Sequence, residues 1–197
     1  MSDKKLKVEV TSEAFIHIHN DIEGATHYFK SRIDRRVADS DRAGLAFEII
    51  ACLIMLAFEL EAKFNFVGAK IVSDWDERMS AKKKPAKIYE TLAMSYREDV
   101  RPYRSVADLR AFRDTFAHGK PKALTLSETA DVTEEQLRNI QKFDILSPEW
   151  APLVTSEFLN SAYEDVSQIW DEMLEKAGIE LFEASTHGFG GTRLISD

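Results

Sequence analysis

Apolar residues recur every three or four positions along most of this chain. Phe15, Ile18, Ile22, Ala25, Phe29, Ile33 and Val37 keep that step, which predicts a long amphipathic helix from about Thr11. Asp39, Ser40 and Asp41 can end it and cap the next element. A second helix is predicted from about Asp41 to Ile71. Its centre, Ile49 to Phe58, is apolar all round, as in a buried element. Its later half is one-sided, with Phe58, Ala62, Phe66 and Ala69 on the apolar face.

The polar stretch Ser73-Asp74-Trp75-Asp76 breaks the pattern. Lys82-Lys83-Lys84-Pro85 leads into a short helix holding Ile88, Leu92 and Met94, with Pro85 near its first position. Leu109, Phe112 and Phe116 mark a further helix, stopped by Gly119 and Pro121. Ser105 and Asp108 have the spacing of a capping box at its start. Ala123-Leu124-Thr125-Leu126 has the composition of a short strand. Thr133-Glu134-Glu135-Gln136 is a capping box for a short helix through Leu137 and Ile140. After Pro148 and Pro152 a last long helix runs from about Thr155 to Ala177, ended by Gly178. Phe158, Ala162, Val166, Ile169, Trp170 and Met173 form its inner face.

The pattern predicts an all-α fold, an up-and-down helical bundle of four to five main helices with short extra helices. One domain is expected over residues 11–180, between a flexible, lysine-rich N-terminus (1–10) and a loose, glycine-containing tail (181–197). At 197 residues and 44% hydrophobic content, the chain can bury a substantial core. The single cysteine, Cys52, lies in an apolar helix and reads as a small buried hydrophobe. A lone cysteine suits a reducing compartment. Met1 to Val10 lacks the apolar core of a secretory leader, and the longest uncharged apolar run is about half of what a bilayer span needs. A cytoplasmic protein without membrane segments is expected.

The net charge of -8 argues against indiscriminate coating of nucleic acid. Its distribution changes the picture. Lys82 to Lys122 holds eleven basic and five acidic residues, so +6, which leaves -14 on the rest. This reads either as a local anion site or as a solvated basic face.

Within that segment the run Leu109-Arg110-Ala111-Phe112-Arg113-Asp114-Thr115-Phe116-Ala117-His118-Gly119-Lys120-Pro121 places chemistry at a helix end. Arg113 can clamp a phosphate through its planar fork of donors. His118 can move protons near neutral pH. Asp114 and His118, four apart, lie about 40° apart around a helix, so the carboxylate can orient the imidazole. Arg113 and His118 are about 140° apart and can edge a groove. The competing reading is that Arg113 bridges to a neighbouring helix while His118 caps the terminus. Arg110, Lys120 and Lys122 supply further positive charge.

A second group is Glu59, Glu61 and Asn65. Glu61 and Asn65, four apart, either reach across to Arg113 or His118 or form a solvated helix edge. His17 and His19 would lie about 200° apart on a helix, too far to share a metal, and read as structural. Gly188-Phe189-Gly190-Gly191 lacks the strand and helix that a phosphate loop needs. No serine elbow, metal-protease motif or nucleotide fingerprint occurs, so an enzyme here would rest on a sparse site with no cofactor and no metal.

Two segments resemble the HEPN superfamily of helical-bundle proteins, many of which are ribonucleases. Arg113-Asp114-Thr115-Phe116-Ala117-His118-Gly119 is similar to the family signature, an arginine, usually a polar residue, and a histidine after four to six intervening positions. Phe58 to Gly68 resembles the helix that several HEPN groups place before the signature helix. The likeness covers roughly Thr11 to Gly178. It implies a metal-independent endoribonuclease acting as a homodimer, with the signature helices meeting in a basic cleft. His118 would assist proton transfer as an RNA 2′-hydroxyl attacks the adjacent phosphate. Arg113 would stabilise the phosphorane-like transition state, and Asp114 would orient His118 or Arg113. Products would be a 2′,3′-cyclic phosphate and a 5′-hydroxyl. RNA rather than DNA is the expected partner, in a toxin or phage-defence setting with an antitoxin or regulatory protein. The subset paired with nucleotidyltransferase antitoxins carries a tyrosine two residues after the histidine. Lys120 stands there in this chain and sets it apart. Other HEPN proteins keep the fold without cleavage and bind RNA, nucleotides or proteins.

Overall fold

Helix α1 (Ile18–Ala38) leads through a short turn into α2 (Leu45–Ile71), the longest helix of the molecule and its axis. Then follow α3 (Lys83–Thr91), α4 (Tyr103–His118), a single 3-10 turn (Ala151–Leu153), α5 (Ser156–Ala177) and the one-turn helix α6 (Leu181–Ala184). Two strands, β1 (Val8–Phe15) and β2 (His187–Leu194), pair antiparallel. The computed structural model describes residues 7–119, 121, 131–134, 136 and 148–195. The predicted strand at Ala123–Leu126 and the helix through Leu137 and Ile140 lie outside these residues.

Helix α2 is central because most of its apolar positions are buried by its neighbours. Cys52, Leu53, Leu56 and Val67 are fully buried, and α1, α3, α4 and α5 all pack against it. Leu109 and Phe112 of α4 close the core on one side. Leu159, Ala162, Ile169 and Met173 of α5 close it on another. The caps of α5 follow local chemistry: Thr155 Oγ1 accepts from Phe158 N at 3.1 Å, and Gly178 takes a left-handed φ of 65°. The Thr133–Gln136 capping box forms reciprocally, at 2.9 and 3.2 Å.

The fold is mainly helical, but the terminal segments correct the all-α expectation. Residues expected as a flexible N-terminus and a loose tail form the β1–β2 ribbon, and the first helix begins at Ile18, not Thr11. The register pairs Val8 with Leu194 and Phe15 with His187. Thr186 Oγ1 accepts from His17 N at 3.0 Å and Asn20 Oδ1 from Thr186 N at 2.6 Å, fixing the ribbon's base.

Other expectations shift for local reasons. Helix α2 starts at Leu45, after Gly44 with φ 69°, not at Asp41. Asp41 instead accepts from Ala43 N and from Arg36. Pro85 is the third residue of α3, and Leu92 and Met94 follow that helix. Ser105 does not cap α4, which starts at Tyr103. Its hydroxyl donates to the buried Asp165 Oδ2 at 2.5 Å, a carboxylate also gripped by Arg101 at 2.8–3.1 Å. Phe58 and Ala69 are exposed rather than on an inner face. Among the described residues no helix is long and apolar enough to cross a membrane.

Candidate functional site at the end of helix α4

Leu109 and Phe112, buried on one face of α4, turn Arg113 toward α2 and α3 and leave His118 at the solvent-exposed last turn. Gly119, with φ 21°, stops the helix directly after the histidine. The core thus fixes which way the motif faces.

Arg113 is held on three sides. Its Nη2 donates to Glu61 Oε2 at 2.5 Å, and its Nη1 lies 3.0 Å from Asp114 Oδ1. Its guanidinium carbon sits 5.9 Å from the centre of the Phe58 ring. The Nε–H is buried without a partner. Glu61 is shared: its Oε1 accepts from Lys84 Nζ at 2.8 Å. Lys84 is only 2% exposed, and that carboxylate is the ion-pair partner of its buried ammonium. Beside the network lies a recess of about 20 Å³, room for one water molecule, lined by Ala57, Leu60, Lys84 and Arg110 among others. Arg110 Nη1 donates to Glu98 Oε1 at 3.1 Å, and that hydrogen bond holds the Glu98 carboxyl below the usual carboxylate range.

The structure therefore joins Arg113, Asp114 and Glu61, with Arg110 at the rim. His118 is exposed and has no hydrogen-bond or ion-pair partner among the described residues. The expected orientation of His118 by Asp114 is not present. The aspartate pairs instead with the adjacent Arg113 guanidinium. Glu59 points the other way, into the core, where it pairs with Lys63 at 2.7 Å. Burial holds its carboxyl above the usual range. Asn65 lines a different recess, with His17, His19, Phe66 and Lys70, and its Oδ1 is buried without a partner. Lys120 and Lys122 lie outside the described residues.

Lys84 and Phe58 are the members that sequence reasoning missed. Lys84 precedes Ile88 by four positions, which places it on the apolar face of α3. That spacing separates it from Lys82 and Lys83 in the same basic run. His17 and His19, expected on opposite sides of a helix, stack with ring centres 5.6 Å apart, because His17 precedes α1 and is extended. Among the described residues no three histidine, cysteine, aspartate or glutamate side chains group as a metal would require. Cys52 is buried, and that burial pushes its thiol up to about 12. No protein-family signature, curated protein or solved structure matches the chain.

Proposed function

We propose that this chain is a metal-independent endoribonuclease of the HEPN type, working from the end of α4. The observation that carries the reading is the contrast between its two motif side chains. His118 stands exposed and unpartnered at the helix end, and Arg113, five positions earlier, is fixed by two carboxylates. In the reaction the 2′-oxygen attacks phosphorus and the bond to the 5′-oxygen breaks. A 2′,3′-cyclic phosphate and a 5′-hydroxyl remain. His118 carries a proton from the 2′-oxygen or to the 5′-oxygen. A guanidinium has five N–H donors; Glu61 accepts from one, and Asp114 forms an ion pair 3.0 Å from Nη1. The remaining terminal N–H donors are the ones offered to phosphate oxygens, since the Nε–H is buried. Glu61 and Asp114 orient the fork, and Lys84 offsets part of the charge on Glu61.

A second reading has its own observation. Arg113 is 18% exposed with both terminal nitrogens facing carboxylates, as in a structural lock. Under it the chain is a HEPN-like module that binds RNA, nucleotides or proteins without cleaving. The deciding experiment is cleavage of mixed tRNA and mRNA in EDTA by wild type and by His118→Ala. Cyclic-phosphate ends from wild type alone support the ribonuclease. No cleavage by wild type overturns it in favour of the binding module, and equal cleavage by both proteins overturns the role given to His118.

A further inference from the structure

The β1–β2 ribbon is tied to the bundle by a series of rings, three of which are imidazoles. Every residue of β1 is exposed, and so is every residue of β2 except the half-buried His187. At the ribbon's base Phe15 stacks on His187, with ring centres 4.9 Å apart. His187 also meets Phe182 of α6 at 4.5 Å and His17 at 6.4 Å. His17 stacks on His19 at 5.6 Å and meets Phe66 of α2 edge-on at 4.9 Å. His19 reaches the core, 4.9 Å from Phe66 and 5.1 Å from Trp170 of α5. The ring contacts thus pass from ribbon to core through His187, His17 and His19 in turn. Hydrogen bonds fix two of these rings on neighbouring carbonyls. His19 Nε2 donates to Ala184 O at 2.8 Å, and His187 Nδ1 donates to Ser185 O at 2.7 Å.

The surroundings accept neutral imidazoles and resist charged ones. Among the described residues no carboxylate pairs with any of the three histidines. The nearby acids are already engaged. Lys70 of α2 holds Glu183 of α6 at 3.2 Å, and Lys63 of α2 holds Glu23 of α1 at 3.0 Å and Glu59 at 2.7 Å. The rings that would stabilise an imidazolium already face ammonium groups. Lys63 Nζ lies 5.1 Å from the centre of a Trp170 ring, and Lys70 Nζ lies 5.9 Å from that of Phe66. Glu77 borders a recess of about 430 Å³ that His17, His19, Asn65 and Lys70 also line, and this recess brings water to the cluster. Burial holds His17 and His19 below the usual histidine range, with His187 and Lys70 adding to the effect at His17 and Lys63 at His19, where Glu23 opposes it. A ring released into water therefore takes up its proton more readily than one in the stack.

We propose that His17, His19 and His187 form an acid-operated latch: proton uptake releases the ribbon and α6 from α1, α2 and α5 while the helical bundle stays folded. Two imidazolium rings stacked at 5.6 Å repel each other and the ammonium groups of Lys63 and Lys70, so the protonated cluster opens at its stack. The bundle is held by aliphatic side chains such as Leu53, Leu56 and Ile169, which carry no charge at any pH. The proposal does not depend on the ribonuclease reading. The test is hydrogen exchange of the full chain at pH 7.5 and 5.5, corrected for the intrinsic rate and read separately over 181–195 and over α2. Protection of 181–195 in wild type should fall about 10-fold or more at pH 5.5, while that of α2 stays within about two-fold. The triple variant His17→Gln/His19→Gln/His187→Gln keeps N–H donors but cannot titrate, and its protection should be flat with pH. His17→Gln alone, at a half-buried ring that precedes the helix, should weaken the response and covers the case of a triple variant that does not fold. Asn20→Ala removes non-titrating bonds at the same base and should lower protection by one factor at both pH values. Wild-type protection over 181–195 that ignores pH overturns the proposal. So does a loss shared equally by α2, or a response that His17→Gln leaves at full size.

Discussion

Glu61 holds Arg113: one carboxylate oxygen takes the guanidinium at 2.5 Å while the other takes Lys84 at 2.8 Å. A single acid thus ties α4 and α3 to α2. Glu61→Ala strips the partner from a lysine that is 2% exposed and should cost about 3 kcal/mol in urea unfolding. Lys84→Met leaves the Glu61–Arg113 pair intact and should fall within about 1 kcal/mol of wild type. Equal costs for the two variants would mean that Glu61 does not carry the network.

His118 makes no contact that folding needs. His118→Ala should stay within about 0.5 kcal/mol of wild-type stability while cleavage drops about 100-fold or more. Arg113→Ala should lose both, since it frees Glu61 and Asp114 from their shared cation. Thermal melts run beside the RNA assay separate these outcomes. A His118→Ala protein that melts well below wild type would assign the histidine a structural role.

Gly68 faces the Trp75 indole so closely that a Cβ would sit 2.5 Å from its ring atoms. Gly68→Ala should therefore destabilise by about 1–3 kcal/mol despite the better helix propensity of alanine. In a Trp75→Ala background the same change should cost nothing or stabilise slightly. A double-mutant cycle checks this, and additive costs would show that the penalty does not come from the Trp75 ring.

Burial holds the imidazoles of His17 and His19 below the usual histidine range, with His187 and Lys70 adding to the effect at His17. Between about pH 6.5 and those lower folded values the unfolded chain binds more protons. Stability therefore falls as pH drops through that window. The double variant His17→Gln/His19→Gln keeps a donor for Ala184 O but cannot titrate. Its Tm should change less between pH 7.5 and 5.5 than that of wild type. Comparing the two proteins cancels the carboxylates, including Glu59, whose raised value acts in the opposite direction. Parallel Tm profiles would remove the histidines from the account.

What could be read from the sequence follows the range of the forces involved. Helix α5 and its caps depend on neighbours a few residues away, so Thr155 and Gly178 announced both ends. Gly119 did the same for the motif helix. Strand β1 could not be read, because Phe15 and Ile18 continue a helical spacing and the pairing partner lies at the far end of the chain. Ser105 has the right spacing for a cap, but a buried aspartate 60 residues away claimed its hydroxyl. Within the site, helical spacing left the reach of Glu61 toward Arg113 as one of two readings, the other being a solvated helix edge. The diversion of Asp114 to Arg113 depends on where a guanidinium comes to rest, which only the packed structure decides.

The ribbon also sets an order of events during synthesis. Thr11 and Gly191 meet across 180 residues of sequence. Strand β1 leaves the ribosome well before β2 and has no mate until the helices between them have been made. Contacts within and between successive helices can form meanwhile, as their shorter loops close sooner. Val8 and Val10 stay unpaired through that interval, with open backbone edges beside them. The ribbon is thus the last element to close, and a nascent chain stalled before β2 exposes a sticky strand to its neighbours on the same message.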